Sequence, residues 1–292
     1  MKHYNIIILT ACFYLCSCHS NTAPSGTQST TVADTAAPFR LGVALWTFHD
    51  VDFPTSLKMA DSAGLKLIEP NTFHKAGKEL NDTLLGQLSP AGIEKLKGYV
   101  RDLGMTVGSL YLGGGKTVQD WKNDFEKAKQ FGVRYVTAEP PTDMWDSVDS
   151  LANVYGMKVA IHEHWKGTSA YWHPDSVLAA IEGHKNFAAC ADLGHWPKSG
   201  INSLDAVRKL SGHILGVHLK DIAAMNDPSL LDVRVGTGIV QFPEIFQELK
   251  RQNFDGYIYI ERDSIESPSN VPSVTETVKY FNTTTAQTTT QP

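Results

Sequence analysis

Short apolar runs rich in β-branched residues alternate with amphipathic segments over residues 39–281. The runs fall at 41–47, 65–69, 105–111, 134–139, 158–164, 187–192, 214–220 and 256–261. Their length and composition predict strands, whereas helical spacing is seen at 89–103, 118–131, 174–183, 203–211 and 243–253. Gly64, Gly104, Gly132 and Gly156 stand between a helical segment and the next run, where glycine closes a helix in the left-handed conformation. Pro54, Pro174 and Pro243 sit near helix starts, where a missing N–H costs little. Eight β-then-α units in one span predict an α/β protein with a single-domain (β/α)₈ barrel, a TIM barrel. An open doubly wound sheet would carry a glycine-rich phosphate loop after the first strand, but Trp46-Thr47-Phe48-His49-Asp50 follows instead. Gly113-Gly114-Gly115 lacks the Lys-Ser/Thr of a phosphate loop and reads as a mobile loop.

The polar exceptions in these runs cluster at their ends. Glu139 ends the fourth run, His162 and His164 the fifth, Asp192 the sixth, His218 and Lys220 the seventh, and Glu261 the eighth. In a parallel barrel these C-terminal ends share one face, where active sites are built. Residues two apart in a strand point the same way, so His162 pairs with His164, His218 with Lys220, and Tyr257 and Tyr259 with Glu261. Carboxylates and imidazoles gathered there repel or stay desolvated unless a cation joins them. A mixed oxygen and nitrogen set without thiolates suits one divalent ion: Mn²⁺, Zn²⁺, Co²⁺ or Mg²⁺. Such an ion polarises a carbonyl or hydroxyl and favours an enediolate. His195, Lys220 and His164 are the candidate proton carriers, and Trp46 and Trp196 the candidate stacking surfaces for a sugar ring. His49 and His173 read as loop residues near the mouth, and His184 and His213 as ordinary structural histidines.

Length and charge agree with this picture and remove others. The 292 residues suit one barrel, which needs ~250. The net charge of −5 gives no basic excess for a duplex, so no nucleic-acid partner is expected. Lys2 and His3 precede an apolar stretch, 6–15, too short to span a bilayer. Leu15-Cys16-Ser17-Cys18 resembles the lipobox of bacterial lipoproteins, with Cys18 the lipidated residue and Cys12 the alternative. The chain therefore divides into a signal at 1–17, a flexible tether at 18–38, the barrel at 39–281 and a disordered tail at 282–292. The expected location is outside the cell's inner compartment, lipid-anchored to a bacterial membrane and facing the periplasm. The lipid is then the only membrane contact. Cys190 alone remains in the body, so the barrel has no internal disulfide.

Ile161-His162-Glu163-His164, Ala191-Asp192-Leu193-Gly194-His195-Trp196, Val217-His218-Leu219-Lys220-Asp221, Val235-Gly236-Thr237-Gly238 and Asp255–Glu261 occur in order. Together they resemble the xylose-isomerase-like TIM barrels, which include sugar (phosphate) isomerases and epimerases, inosose dehydratase and endonuclease-IV-type enzymes. The resemblance implies metal ligands on the last four strands, with Asp192, His218 and Glu261 matching three of them. The family's fifth-strand Glu falls on His162 here, so the fourth ligand is His162 or the neighbouring Glu139. His195 matches the second residue of the family's Asp-x-x-His pair.

The resemblance implies a metal-dependent isomerase or epimerase acting next to a carbonyl, through an enediolate, on a non-phosphorylated sugar or sugar derivative. Export argues against phosphorylated sugars. The histidine-rich fifth strand points to the alternative, a lyase, dehydratase or hydratase acting on a 3-keto-glycoside or cyclitol. A non-catalytic sugar-binding lipoprotein is the second alternative. The nuclease relatives use extra histidines on earlier strands, which 67–69 and 110–112 lack.

Overall fold

The computed structural model describes residues 39–290. The signal and the whole tether, with Cys12 and Cys18, lie outside the described residues. Parallel strands β1 (Arg40–Ala44), β2 (Leu67–Glu69), β3 (Thr106–Val107), β4 (Ser109–Tyr111), β5 (Tyr135–Ala138), β6 (Lys158–Ile161), β7 (Phe187–Asp192) and β8 (Ile214–Leu219) follow one another along the chain. A short antiparallel pair, β9 (Asp221–Ile222) and β10 (Asp232–Val233), comes before the last strand, β11 (Tyr257–Ile260). The parallel sheet runs β3-β2-β1-β11-β8-β7-β6-β5-β4. Its two ends, β3 and β4, are halves of one strand broken at Gly108, so the sheet closes on itself. Gly108 N–H donates to Ile68 O at 3.0 Å, and its carbonyl accepts from Arg134 N–H at 3.2 Å. Only glycine fits there: a Cβ on residue 108 would lie 2.4 Å from Tyr259 Oη inside the barrel. This is the single-domain TIM barrel that the run pattern predicts.

Among the described residues the helices are α1 (Phe53–Ser62), α2 (Pro90–Asp102), α3 (Val118–Phe131), α4 (Trp145–Tyr155), α5 (Pro174–Ile181), α6 (His195–Lys198), α7 (Ser203–Lys209), α8 (Phe242–Arg251) and α9 (Val271–Thr290). Each long helix has a local reason to start and a face to bury. In α3, Thr117 and Asp120 form a capping box, and Trp121, Phe125 and Ala128 are buried at helical spacing. In α8, Phe242, Ile245, Phe246 and Leu249 repeat that spacing and pack on the strands. Pro54, Pro174 and Pro243 all sit in first turns. No described helix is long and apolar enough to cross a membrane.

The C-terminal stretch differs from its reading as a tail. Helix α9 continues to Thr290, and Thr284 is buried. Phe281 anchors this stretch by packing on Phe39 and Phe246, and threonine side chains bond back to the preceding turn, Thr285 Oγ1 to Phe281 O at 2.8 Å.

Inside the barrel, large and small side chains alternate so that the lumen is filled. Tyr135 packs with Ala160 and Cys190, and the Tyr135 and Tyr257 rings lie 5.9 Å apart. Gly216 leaves room for the Tyr135 hydroxyl, which would approach a Cβ there to 2.7 Å. The aromatic plug closes the lower barrel, so polar side chains can collect only above it, at the strand ends.

Candidate active site

Strand alternation delivers the polar residues to one layer. On β8, Val217 and Leu219 face the helices, while His218 and Lys220 face the barrel mouth. On β11 Tyr259 points into the lumen, while Glu261, just past its end, reaches the mouth, and Asp192 at the end of β7 joins it there. His162 Nε2 lies 3.6 Å from Asp192 Oδ2, and His218 Nδ1 lies 2.9 Å from Glu261 Oε2 and 3.9 Å from Asp192 Oδ2. The four side chains each offer one ligand atom within 4.8 Å of the others, and all are buried.

These atoms fit a divalent ion. Asp192 Oδ1 accepts from Gly194 N–H and His195 N–H at 2.9 and 3.0 Å, which aims Oδ2 at the cluster. Asp192 Oδ2 and His162 Nε2 are both buried without a hydrogen-bond partner. Lys220 Nζ is 3.1 Å from that oxygen, an ion pair rather than a directed hydrogen bond. Buried polar atoms left unpaired are costly, and a bound cation resolves the cost. A tetrahedral ion with bonds of ~2.0–2.2 Å separates its ligand atoms by roughly 3.4 Å, near the spacing found here.

Glu69, at the end of β2, was not among the site residues expected from sequence, yet it orients the centre. It is buried and accepts from Ser109 Oγ at 2.7 Å, Thr137 Oγ1 at 2.5 Å and His218 Nε2 at 2.7 Å. A hydrogen on Nε2 leaves Nδ1 as the ligand nitrogen, the usual way a carboxylate fixes a metal-binding histidine. The signal was present in the sequence as an acid ending an apolar run, like Glu139 and Glu261. Glu69→Gln is expected to weaken metal affinity about 10–100-fold while the fold persists. Competition with a chelating dye measures this, and unchanged affinity would remove Glu69 from the centre.

Glu139 does not join the four-residue group. It bonds His164 Nδ1 and accepts from Ser169 Oγ at 2.6 Å, with His162 Nδ1 3.6 Å away. His162 is therefore the side chain that completes the cluster with Asp192, His218 and Glu261, and Glu139 stands behind the two histidines. Burial opposes the charge on Glu139, but hydrogen bonds from His162 and His164 outweigh it and hold the carboxyl well below its usual range.

Lys220 is the most heavily engaged residue. Its Nζ lies 3.2 Å from Glu261 Oε2, 2.9 Å from Asp263 Oδ1 and 3.0 Å from His195 Nε2. Burial alone would lower its pKa, yet Asp192, Asp263 and Glu261 together raise it well above normal. Its stem runs over Gly194, where a Cβ would stand 2.5 Å from Lys220 Cγ. His195 is driven neutral, first by burial, so its Nε2 accepts from Lys220. His195 is itself buried and meets the cavity through Lys220. Asp263 is held by its backbone N–H on Asp232 Oδ1 at 3.0 Å, and it also accepts from Trp46 Nε1 at 3.2 Å.

A cavity of about 180 Å³ opens above the cluster, lined by Trp46, Phe73, Tyr111, His164, Lys220 and Glu261 among others. Of the two tryptophans expected at the rim, Trp46 lines it. Trp196 is fully enclosed in the core. Its place at the start of α6, one residue past His195, turns it inward.

Protons compete with the ion. His162 is pulled down by burial but raised further by Asp192 and Glu139, to about 10, and His218 is also raised well above normal. Raised folded values mean that the imidazolium forms stabilise the metal-free protein below the unfolded value of ~6.5, a contribution lost as pH rises through about 10. Metal binding needs these nitrogens bare, so affinity is expected to rise steadily between about pH 6 and about pH 9 with proton release. Calorimetry in buffers of different ionisation enthalpy tests this, and pH-independent binding without proton release would contradict it.

The xylose isomerase-like TIM barrel profile matches residues 57–283. An inosose dehydratase from Clostridium beijerinckii is 28% identical over 143 residues, 44% of this chain and 48% of that protein. The chain thus spans less than half the length of this curated relative. An uncharacterised protein from Parabacteroides distasonis has a solved structure with 29% identity and a TM-score of 0.67, covering 84% of this chain and 98% of that one. The IOLI protein, solved with a bound zinc atom, superposes with a TM-score of 0.71 at 17% identity over 87% of this chain and 100% of its own, a likeness of fold. With three quarters of its length matched, this chain belongs to the xylose isomerase-like TIM barrel family.

Proposed function

We propose that the protein is a metal-dependent enzyme that moves a proton at the carbon beside a carbonyl, in the manner of an isomerase or epimerase. Its substrate is a non-phosphorylated sugar or sugar derivative. The carrying observation is the buried group His162, Asp192, His218 and Glu261 beneath a cavity that also presents Lys220 and the His164–Glu139 pair. A divalent ion there, Mn²⁺, Zn²⁺, Co²⁺ or Mg²⁺, would polarise a carbonyl or hydroxyl oxygen. Lys220 takes or returns the proton, since a nearby metal charge would disfavour its ammonium form. His164 has Nδ1 engaged by Glu139, which leaves Nε2 to exchange a proton with the substrate. His195, neutral and bonded to Lys220, positions that amine. The cavity wall carries Glu69, Glu261 and Asp263 against Lys220 as its fixed cation, a poor lining for a phosphate.

A second reading is elimination or addition of water on a cyclitol or 3-keto-glycoside. His162 stands where a two-carboxylate epimerase needs an acid, and the His164–Glu139 pair suits protonation of a departing hydroxyl. The dehydratase relative supports this reading. Both are tested by incubating the purified protein with Mn²⁺ in D₂O and following aldose/ketose pairs, cyclitol ketones and 3-keto-glycosides by NMR. Deuterium entering beside the carbonyl with inverted or isomerised product supports the first reading, and loss of a hydroxyl supports the second. Sugar binding without any conversion would instead identify a binding protein.

The same proposal places the enzyme outside the inner membrane on a lipid carried by Cys18. Labelling with a fatty-acid analogue in a bacterial host should be lost in Cys18→Ala. Labelling lost only in Cys12→Ala would move the lipid to Cys12.

A further inference from the structure

A second cavity, of about 310 Å³, adjoins the first and shares Trp46, Asn71 and Phe73 with it. It lies under the loop that follows β2. That loop has a fixed shape: Phe53 N–H donates to Lys75 O at 2.9 Å, Ala76 N–H to Thr83 O at 2.8 Å and Leu85 N–H to His74 O at 3.0 Å. The ridge between the cavities is aromatic. Trp46 is stacked on His49 with centroids 4.3 Å apart, and Phe73 meets Trp46 edge-on at 5.8 Å. Phe73 is 40% exposed, unusual for its size.

Two buried polar atoms belong to residues lining this second space and lack any partner: Asn71 Oδ1 and His74 Nδ1. Their residues are 3% and 4% exposed. His74 Nε2 lies 2.9 Å from Val51 O, which only a nitrogen carrying hydrogen can satisfy, so Nδ1 presents a lone pair. Burial also keeps the ring neutral. Both orphans are acceptors without a donor, shut from solvent by the surrounding protein. The rim carries Asp50, Asp52 and Asp82 against Lys75, which disfavours an anionic ligand. An aromatic ridge beside the carboxylate acceptors of the rim is suited to a polyol ring, with an apolar face and donor edges.

We propose that the second cavity is a subsite for a second, uncharged sugar ring, so that the substrate is a glycoside spanning both cavities across the Trp46–Phe73 ridge. This rests on the reading that the first cavity takes a sugar ring. The first cavity, at about 180 Å³, has room for one small ring only, below the ~300–1,000 Å³ of larger ligand sites.

The test is binding by the full chain with Mn²⁺, titrated with glucose, methyl glucosides, maltose, cellobiose and trehalose. At least one disaccharide is expected to bind about tenfold more tightly than glucose, the size of a hydrogen bond or two. His74→Phe and Leu84→Trp, which change only the second cavity, are expected to erase that advantage and leave glucose binding as it was. Leu84 is half-buried at the loop edge, so this variant guards against a His74 variant that fails to fold. Equal affinity for glucose and every disaccharide would overturn the subsite while leaving the proposed function intact. Equal weakening of glucose and disaccharide in Leu84→Trp would also overturn it. No binding of any of these sugars would overturn the subsite, and the proposed function is judged separately by its conversion test in D₂O.

Discussion

His218→Ala is expected to strip the divalent ion from the protein and to lower kcat/KM by about 10³-fold or more, since a Lewis acid contributes several kcal/mol to the transition state. His218 sits between Glu261 on one nitrogen and Glu69 on the other, and it is fully buried. Its removal leaves two enclosed carboxylates facing an empty space, which costs about 3–5 kcal/mol when a buried pair is broken one-sidedly. A loss of stability and a loss of metal are thus both expected, and the two can be told apart. Glu261→Gln keeps shape and removes charge, so it should lose the ion with a smaller change in melting temperature. Elemental analysis of both variants beside steady-state rates decides the matter. Stoichiometric metal with turnover near that of the unaltered protein in either variant would dismantle the centre described here.

Lys220→Met is expected to leave the metal in place and to lower kcat by about 10²–10⁴-fold, the usual reach of one positioned acid or base. Methionine preserves a long apolar stem over Gly194 while removing the amine. Asp192, Glu261 and Asp263 each lie within 3.2 Å of that amine and lose a cation together. In the metal-loaded protein the ion balances the first two, so the damage to stability should shrink when Mn²⁺ is added. A metal-dependent rescue of melting temperature without rescue of kcat is the signature sought. If kcat stays within about twofold, Lys220 is a charge-balancing residue and His164 becomes the principal proton carrier.

The fold was legible because a parallel barrel writes itself as a simple rhythm. Runs such as 214–220 are apolar on both faces until the chain reaches the mouth, where His218 and Lys220 interrupt them. Period two then told which interruptions share a face, and the structure groups His162 with His164 and His218 with Lys220 accordingly. Rhythm says nothing about depth. Glu69 looked like an ordinary strand-end acid because its three partners come from three other strands, and such convergence exists only after closure. Trp196 looked like a rim residue because it neighbours His195, but a single turn of helix rotates adjacent side chains far apart. The choice between Glu139 and His162 depended on which atoms meet across β5, β6 and β7. The C-terminal threonines were read by composition, which ignores that Phe281 is nailed into the core and holds the helix in register.

The tyrosine plug beneath the site bears on isotopes. Tyr135, Tyr257 and Tyr259 pack the lumen below, and Lys220 is only 1% exposed, so with substrate filling the mouth its amine meets little bulk water. A hydron lifted by Lys220 is sheltered during the lifetime of the intermediate. Part of a deuterium label placed beside the substrate carbonyl should therefore reappear in the product, a memory of the starting molecule that an open basin would wash away.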